Sequence, residues 1–304
     1  MTDLQRYLAE EIVEDHVDGL VSRREALRRL GLLGLSGAVA TSMLAAVVAD
    51  EAKAAIRVAL QKQAAASPSA VIAEAAIPTR PITFRGPGGR RLMGAWAAAP
   101  RPRGGVLVIH ENRGLNESIR AIAGRLASSG YSALAIDLLS EEGGTGSFPD
   151  EFEAMAALGA APTSRLVADL KAGVTELRRR LPRKKVAATG FCFGGGMTWL
   201  LLSSKESRLA AAVPFYGPFP EGGSLVGAKA AVLGIYAGLD TRVNASMPEA
   251  RAALRKAGLE HQIVTFPEAD HAFFNSAGAR YNPAAAASAY RRMLAWFGTH
   301  VATR

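Results

Sequence analysis

From residue 104 onward the chain alternates between short, nearly continuous apolar runs and longer stretches in which apolar residues recur every three or four positions. Gly105–His110 (GVLVIH), Tyr131–Asp137 (YSALAID), Lys185–Gly190 (KVAATG), Ala210–Tyr216, Ala230–Ala237 and Gln262–Phe266 read as strands. Between them, Asn116–Ser129 carries Ile119, Ile122 and Leu126 on one helical face, and Thr163–Leu181 carries Leu166, Leu170, Val174 and Leu177. Helices are also predicted after Cys192 (MTWLLLSS), over Met247–Gly258 and over Pro283–Phe297. Upstream, "ITFRGPGGRRLMGAWAAA" (residues 82–99) reads as two strands around a Gly-Pro-Gly-Gly turn. Strands apolar along their whole length, alternating with helices, predict an α/β fold: a mostly parallel sheet covered on both faces. Ligands of such sheets bind beyond the carboxyl ends of the strands. Glu111, Asp137, Cys192, Tyr216, Asp240 and His271 are the residues that fall there.

The first 54 residues follow a different pattern. Residues 1–21 are acidic and amphipathic, with Leu4, Leu8, Ile12 and Val13 on one side. Then Ser22-Arg23-Arg24 precedes the uncharged run Leu30–Ala49 and the small residues Ala52-Lys53-Ala54. Charge, apolar stretch and small residues in that order predict an export signal of the twin-arginine type and a periplasmic destination. The run is also long enough to anchor in a membrane, which makes residues 30–49 the candidate membrane contact. The third reading is a cytoplasmic helical arm packed on the main domain. The acidic opening is unusual for a signal. The expected organisation is an arm with signal or anchor over 1–54, an Ala-rich helix or linker over 55–77, and a catalytic domain over 78–304.

Composition narrows the chemistry. A single cysteine in 304 residues excludes an internal disulfide and a cysteine-rich zinc site. The five histidines form no HExxH and no His-x-His pair, so no metal is expected. The net charge of +9 invites a nucleic-acid partner, but the basic residues are scattered and no basic stripe is interleaved with aromatics. No nucleic acid and no cofactor are expected, and the chain is read as a monomer.

The lone cysteine sits in Gly190-Phe191-Cys192-Phe193-Gly194, directly after a strand and before a helix. G-x-S-x-G in that context is the nucleophile elbow of α/β-hydrolases, where only glycine lets the backbone pass; here cysteine replaces serine. A helix N-terminus favours a thiolate. Nucleophile, acid and histidine follow one another along such chains. Asp240 after one strand and His271 after the next occupy those places, with Asp270 the runner-up acid because it would have to fold back onto its neighbour. His16, His261 and His300 lie elsewhere. The loop His110-Glu111-Asn112-Arg113-Gly114 would supply one oxyanion-hole amide, at Asn112, and Phe193 the other.

These residues resemble the dienelactone hydrolase (carboxymethylenebutenolidase) family, through "HENRGLNESIRAIAGRLASSGYSALAIDLL", "GFCFGGG", "YAGLD" and "DHAFF" over roughly residues 78–304. The resemblance implies Cys192 as nucleophile, His271 as base, Asp240 as its orienting acid, and Glu111 as a carboxylate that contacts the resting thiol. Two departures concern the substrate. The family's carboxylate-binding arginine four residues after the histidine is Asn275 here, and the loop after the Asp137 strand, "SEEGGTGS", holds no arginine. Dienelactone itself is therefore a doubtful substrate unless Arg113 or Arg120 substitutes. Tyr216, Phe273, Phe274 and Phe193 suggest an aromatic acyl pocket. The expected function is Cys-dependent hydrolysis of an ester or lactone. The rivals are an exported binding protein of the same fold with a weak site, and a thiol peroxidase that needs neither Asp240 nor His271.

Overall fold

Val, Ala, Leu and Ile dominate the six central runs, and each is extended, the first five largely buried, in the computed structural model, which describes residues 1–47 and 76–302. The strands are β1 (Arg80–Arg85), β2 (Arg91–Ala97), β3 (Gly104–Ile109), β4 (Tyr131–Asp137), β5 (Val186–Phe191), β6 (Leu209–Phe215), β7 (Ala231–Ala237) and β8 (His261–Phe266). They form one eight-stranded sheet in the order β1-β2-β4-β3-β5-β6-β7-β8. The β1/β2 hairpin predicted around residues 86–90 pairs antiparallel, β2 joins β4 antiparallel, and every other neighbour is parallel. Edge strand β8 is only half-buried, whereas β3, β4 and β5 are buried on both faces.

Helices cover both sides, as continuous apolar strands require. α4 (Glu117–Ser128) and α9 (Pro283–His300) share one face, where Ser129 Oγ and Tyr290 OH lie 3.0 Å apart. α6 (Thr163–Arg180) and α7 (Phe193–Ser203) lie on the other. α8 (Met247–Lys256) follows a single helical turn at Thr241–Asn244. A further helix, α5 (Glu151–Ala160), was not expected: its sequence EFEAMAALGA has no clean apolar period, and the Asp150 side chain starts it by accepting from two backbone amides.

Register aligns the working ends of the strands. Ile109 of β3 pairs with Gly190 of β5 and Ile136 of β4, and Phe191 pairs with Phe215 of β6. The loops carrying residues 110–113, 192, 216, 240 and 271 therefore emerge on one rim of the sheet.

The N-terminal residues fold onto that rim as three helices: α1 (Asp3–Val17), α2 (Arg23–Leu32) and α3 (Gly37–Val47). Thr2 and Gln5 form a capping box on α1, and Ser22 caps α2 through the Glu25 amide. Leu8, Ile12, Val13, Leu30 and Leu33 are buried as part of the core. The apolar run from Leu30 is interrupted at Gly34, whose positive φ of 83° ends α2, so it forms two helices. Among the described residues no helix is long and apolar enough to cross a membrane. The remainder of that run, and the stretch expected to be an Ala-rich helix or linker, lie outside the described residues except for its last two positions.

Candidate functional site

β5 ends at Phe191 and α7 starts at Phe193, leaving Cys192 alone at the turn with φ 56° and ψ −119°. A non-glycine residue is held there only when its surroundings over-determine it. Those surroundings need glycine. A Cβ on Gly190 would sit 2.0 Å from the Gly194 carbonyl oxygen, and one on Gly194 would sit 2.4 Å from that of Ile109. The turn has the form of a nucleophile elbow, and the Phe193 amide is the first of its helix, among those with no intrahelical acceptor.

His271 is buried. Its Nδ1 lies 2.6 Å from Asp240 Oδ2, while Asp240 Oδ1 accepts from the Val243 amide at 3.0 Å. Both carboxylate oxygens are thereby engaged, and the ring orientation is fixed. Asp270 instead accepts from the His271 backbone amide at 2.7 Å, so of the two acids it is Asp240 whose side chain meets the imidazole. Burial pushes the Asp240 carboxyl up, but the His271 ring and its hydrogen bond outweigh this and hold it below its ordinary value. Burial likewise pushes His271 down, yet Asp240 and Cys192 lift it well above the usual range.

The thiol differs from expectation. Cys192 Sγ donates to Glu11 Oε1 at 3.2 Å and lies 3.3 Å from Tyr7 OH, both from α1. Glu111, expected at the thiol, accepts from Asn275 Nδ2 at 2.7 Å. The helix carrying Glu11 occupies the thiol's open side, so Glu111 is drawn to Asn275 instead. Burial, then Glu11, push the Cys192 thiol up to about 11, against the pull of His271. Glu11, Cys192 and His271 also present ligand atoms within 4.8 Å of one another.

Glu111 is pushed up to about 7, chiefly by burial and further by Glu11, while His271 and Asn275 act to lower it. A carboxyl raised from its ordinary 4.5 binds its proton more tightly folded than unfolded, so its contribution favours the fold below about pH 4.5 and is lost as pH rises through 7. Glu111→Gln keeps an acceptor for Asn275 without the charge. Its melting temperature is expected to gain on the wild type progressively between pH 5 and 8, by up to about 3 kcal/mol of stability. A constant difference across that range in calorimetry would contradict this assignment.

The loop carrying Glu111 and Asn112, the candidate oxyanion loop, is held by His110. Its Nε2 accepts from the Leu138 amide at 3.1 Å, so its Nδ1 donates to the Glu111 carbonyl at 2.6 Å, and the ring stacks on Phe193. This histidine ties the loop carrying Asn112 to the helix carrying Phe193.

A cleft of about 530 Å³ reaches Cys192 and His271. Arg113 and Asn275 line it as expected. Phe273 does not line it, and Tyr216 lines a separate cavity of about 80 Å³ with Phe274, Glu111 and Asn275; the Tyr216 and Phe273 rings pack edge to face at 5.4 Å, and Tyr216 packs against the His271 ring. The expected aromatic acyl pocket is thus in part a packed cluster behind the His271 loop and in part the wall of that small cavity. The actual walls mix Ile12, Val21, Phe152 and Met155 with Glu11, Asp15, Glu151 and Arg280. Its three arginines are already paired: Arg29 with Glu25 at 2.8 Å, Arg113 with Glu151 at 3.0 Å, and Arg280 with Asp15 at 3.0 Å.

Glu11 and Tyr7 had no readable signal. Their spacing of four residues places both on the buried face of an amphipathic helix, but nothing local says which surface that face meets.

A sequence model of the dienelactone hydrolase family matches residues 93–301. A Salmonella typhi protein assigned as a carboxymethylenebutenolidase is 36% identical over 225 residues, covering 68% of this chain and 83% of its own. One from Escherichia coli K12 is 35% identical over 222 residues, 67% and 82%. Among solved structures, a protein assigned as a dienelactone hydrolase from Klebsiella pneumoniae superposes with a TM-score of 0.62 at 31% identity, over 73% of this chain and 99% of its own. A dienelactone hydrolase-like promiscuous phosphotriesterase from metagenomic libraries gives 0.58 at 25%, over 74% and 99%.

Proposed function

We propose, from the premise that this chain belongs to the dienelactone hydrolase family and is a hydrolase acting on esters or lactones, that its catalysis runs through a Cys192-His271-Asp240 triad. The observation carrying this reading is the buried 2.6 Å contact between His271 and Asp240 beside a lone thiol held at positive φ on the elbow. Cys192 attacks the carbonyl carbon, its proton passes to His271, and the carbonyl electron pair moves onto an oxygen held by the Asn112 and Phe193 amides. Collapse expels the alcohol, which takes the proton from His271. Water activated by His271 then cleaves the thioester and frees the acid. Asp240 holds the imidazole in the required tautomer throughout.

The cleft selects for uncharged substrates. Its carboxylates outnumber its guanidinium groups, and each arginine lining it has an acidic partner, so an anionic ester would have to break an ion pair to find its own. Neutral lactones and aryl esters are expected to exceed their carboxylate-bearing counterparts in kcat/KM by about tenfold or more, the scale of one charge-assisted contact. A panel of matched substrates checks this; preference for the carboxylate-bearing members would contradict it. Export through Ser22-Arg23-Arg24, with the N-terminal helices retained on the folded domain, also stands as a proposal, supported by the exposure of both arginines at the start of α2.

A further inference from the structure

We propose that Glu11, carried in by the N-terminal helix, is a catalytic residue that holds the Cys192 thiol proton in the resting enzyme and sets how readily the thiolate forms. The inference rests on the reading of Cys192 as the nucleophile. It begins with one oxygen: Glu11 Oε1 accepts from Sγ at 3.2 Å and lies 3.7 Å from His271 Nε2. That carboxylate stands between the nucleophile and its base. The Nε2 of His271 is buried with no hydrogen-bond partner among the described residues, so the proton that leaves sulfur has an acceptor already in place. Tyr7, one helical turn earlier, approaches the sulfur at 3.3 Å.

The helix is clamped by the same segments that carry the triad. Arg242, two residues after Asp240, pairs with Glu14 at 3.2 Å and lies 4.7 Å from the Tyr7 ring centroid. Arg280, nine residues after His271, pairs with Asp15 at 3.0 Å and with Asp18. Leu8, Ile12 and Val13 are buried beneath it. These acids are the ones that make residues 1–21 an odd opening for an export signal. Here they dock an amphipathic helix onto a basic rim. The cleft still reaches Cys192 with α1 in place, so the helix is a wall of the site rather than a plug.

A carboxylate against the sulfur opposes a second negative charge there. At rest the proton stays on sulfur, directed at Glu11. During attack the S–H bond breaks as the S–C bond forms, and the proton goes to His271 Nε2. Glu11 ends with no added proton and faces the new imidazolium.

The test is the pH dependence of Cys192 alkylation by iodoacetamide in the full-length chain. Glu11→Gln is expected to move the midpoint down by about one pH unit, and so to raise the rate near pH 7.5 about tenfold. Glu11→Asp, which keeps the charge but withdraws it by one methylene, should give a smaller shift in the same direction, and it carries the test if the Gln variant does not fold. A loosened helix would raise the rate at every pH without moving the midpoint. A midpoint unchanged or raised in the variants overturns the proposal. Because alkylation needs no substrate, this result is independent of whether Cys192 serves ester hydrolysis.

Discussion

Cys192→Ala is expected to lower kcat/KM on an aryl ester by about 10⁴-fold or more while leaving the far-UV spectrum unchanged. Nucleophile and base act as a unit, so removing the nucleophile leaves only binding and the oxyanion amides, which are worth far less than the whole. The fold should survive. The side chain is small, it contacts Glu11 and Tyr7 among the described residues, and alanine tolerates the elbow's backbone as poorly as cysteine already does. Full activity in this variant would mean that the hydrolytic centre lies elsewhere. An exported binding protein with a weak site predicts little change, because it has little turnover to lose.

Asp240→Asn is expected to reduce kcat by about 10²–10⁴-fold with KM nearly unchanged. Asp240 makes two separate contacts, one to the Val243 amide and one to His271 Nδ1. Asparagine has one oxygen. If that oxygen keeps the Val243 amide, the NH₂ group faces Nδ1, and the ring must turn that nitrogen into an acceptor. The proton then sits on Nε2, where His271 can no longer take one from the thiol. The loss falls on kcat because the side chain never meets substrate. Steady-state kinetics on a single ester decides it. A thiol peroxidase would keep its activity in this variant, so the same protein distinguishes the two enzyme classes.

The fold and the placement of the candidate site residues on one rim were legible in the sequence because their signals are local. Continuous apolar runs marked the central strands, since a strand buried on both faces tolerates few polar residues. The glycines at 190 and 194 announced the elbow because no Cβ fits there. Asp240 over Asp270 followed from chain geometry, and the Asp270 side chain does turn back to its neighbour's amide. What escaped depends on contacts between segments far apart in the chain. The acidic helix at the N-terminus was visible as amphipathic, but that its buried face brings Glu11 to a thiol 181 positions later was not. Nor was the reassignment of Glu111 to Asn275, which follows from Glu11's arrival. The aromatic residues around 273 were read as a pocket because aromatic side chains line many binding sites. In the structure they pack on one another, and only the three-dimensional neighbours of Phe273 and Tyr216 decide that.

The central claim is that Cys192 becomes acylated and that His271 with Asp240 drives both steps. Intact-protein mass spectrometry of enzyme acid-quenched during p-nitrophenyl acetate turnover, followed by peptide mapping, tests it most directly. The account predicts one added acetyl group, located on the peptide containing Cys192 and absent from Cys192→Ala. An acetyl group stably attached to any other residue during turnover, or turnover by Cys192→Ala at the wild-type rate, would contradict it.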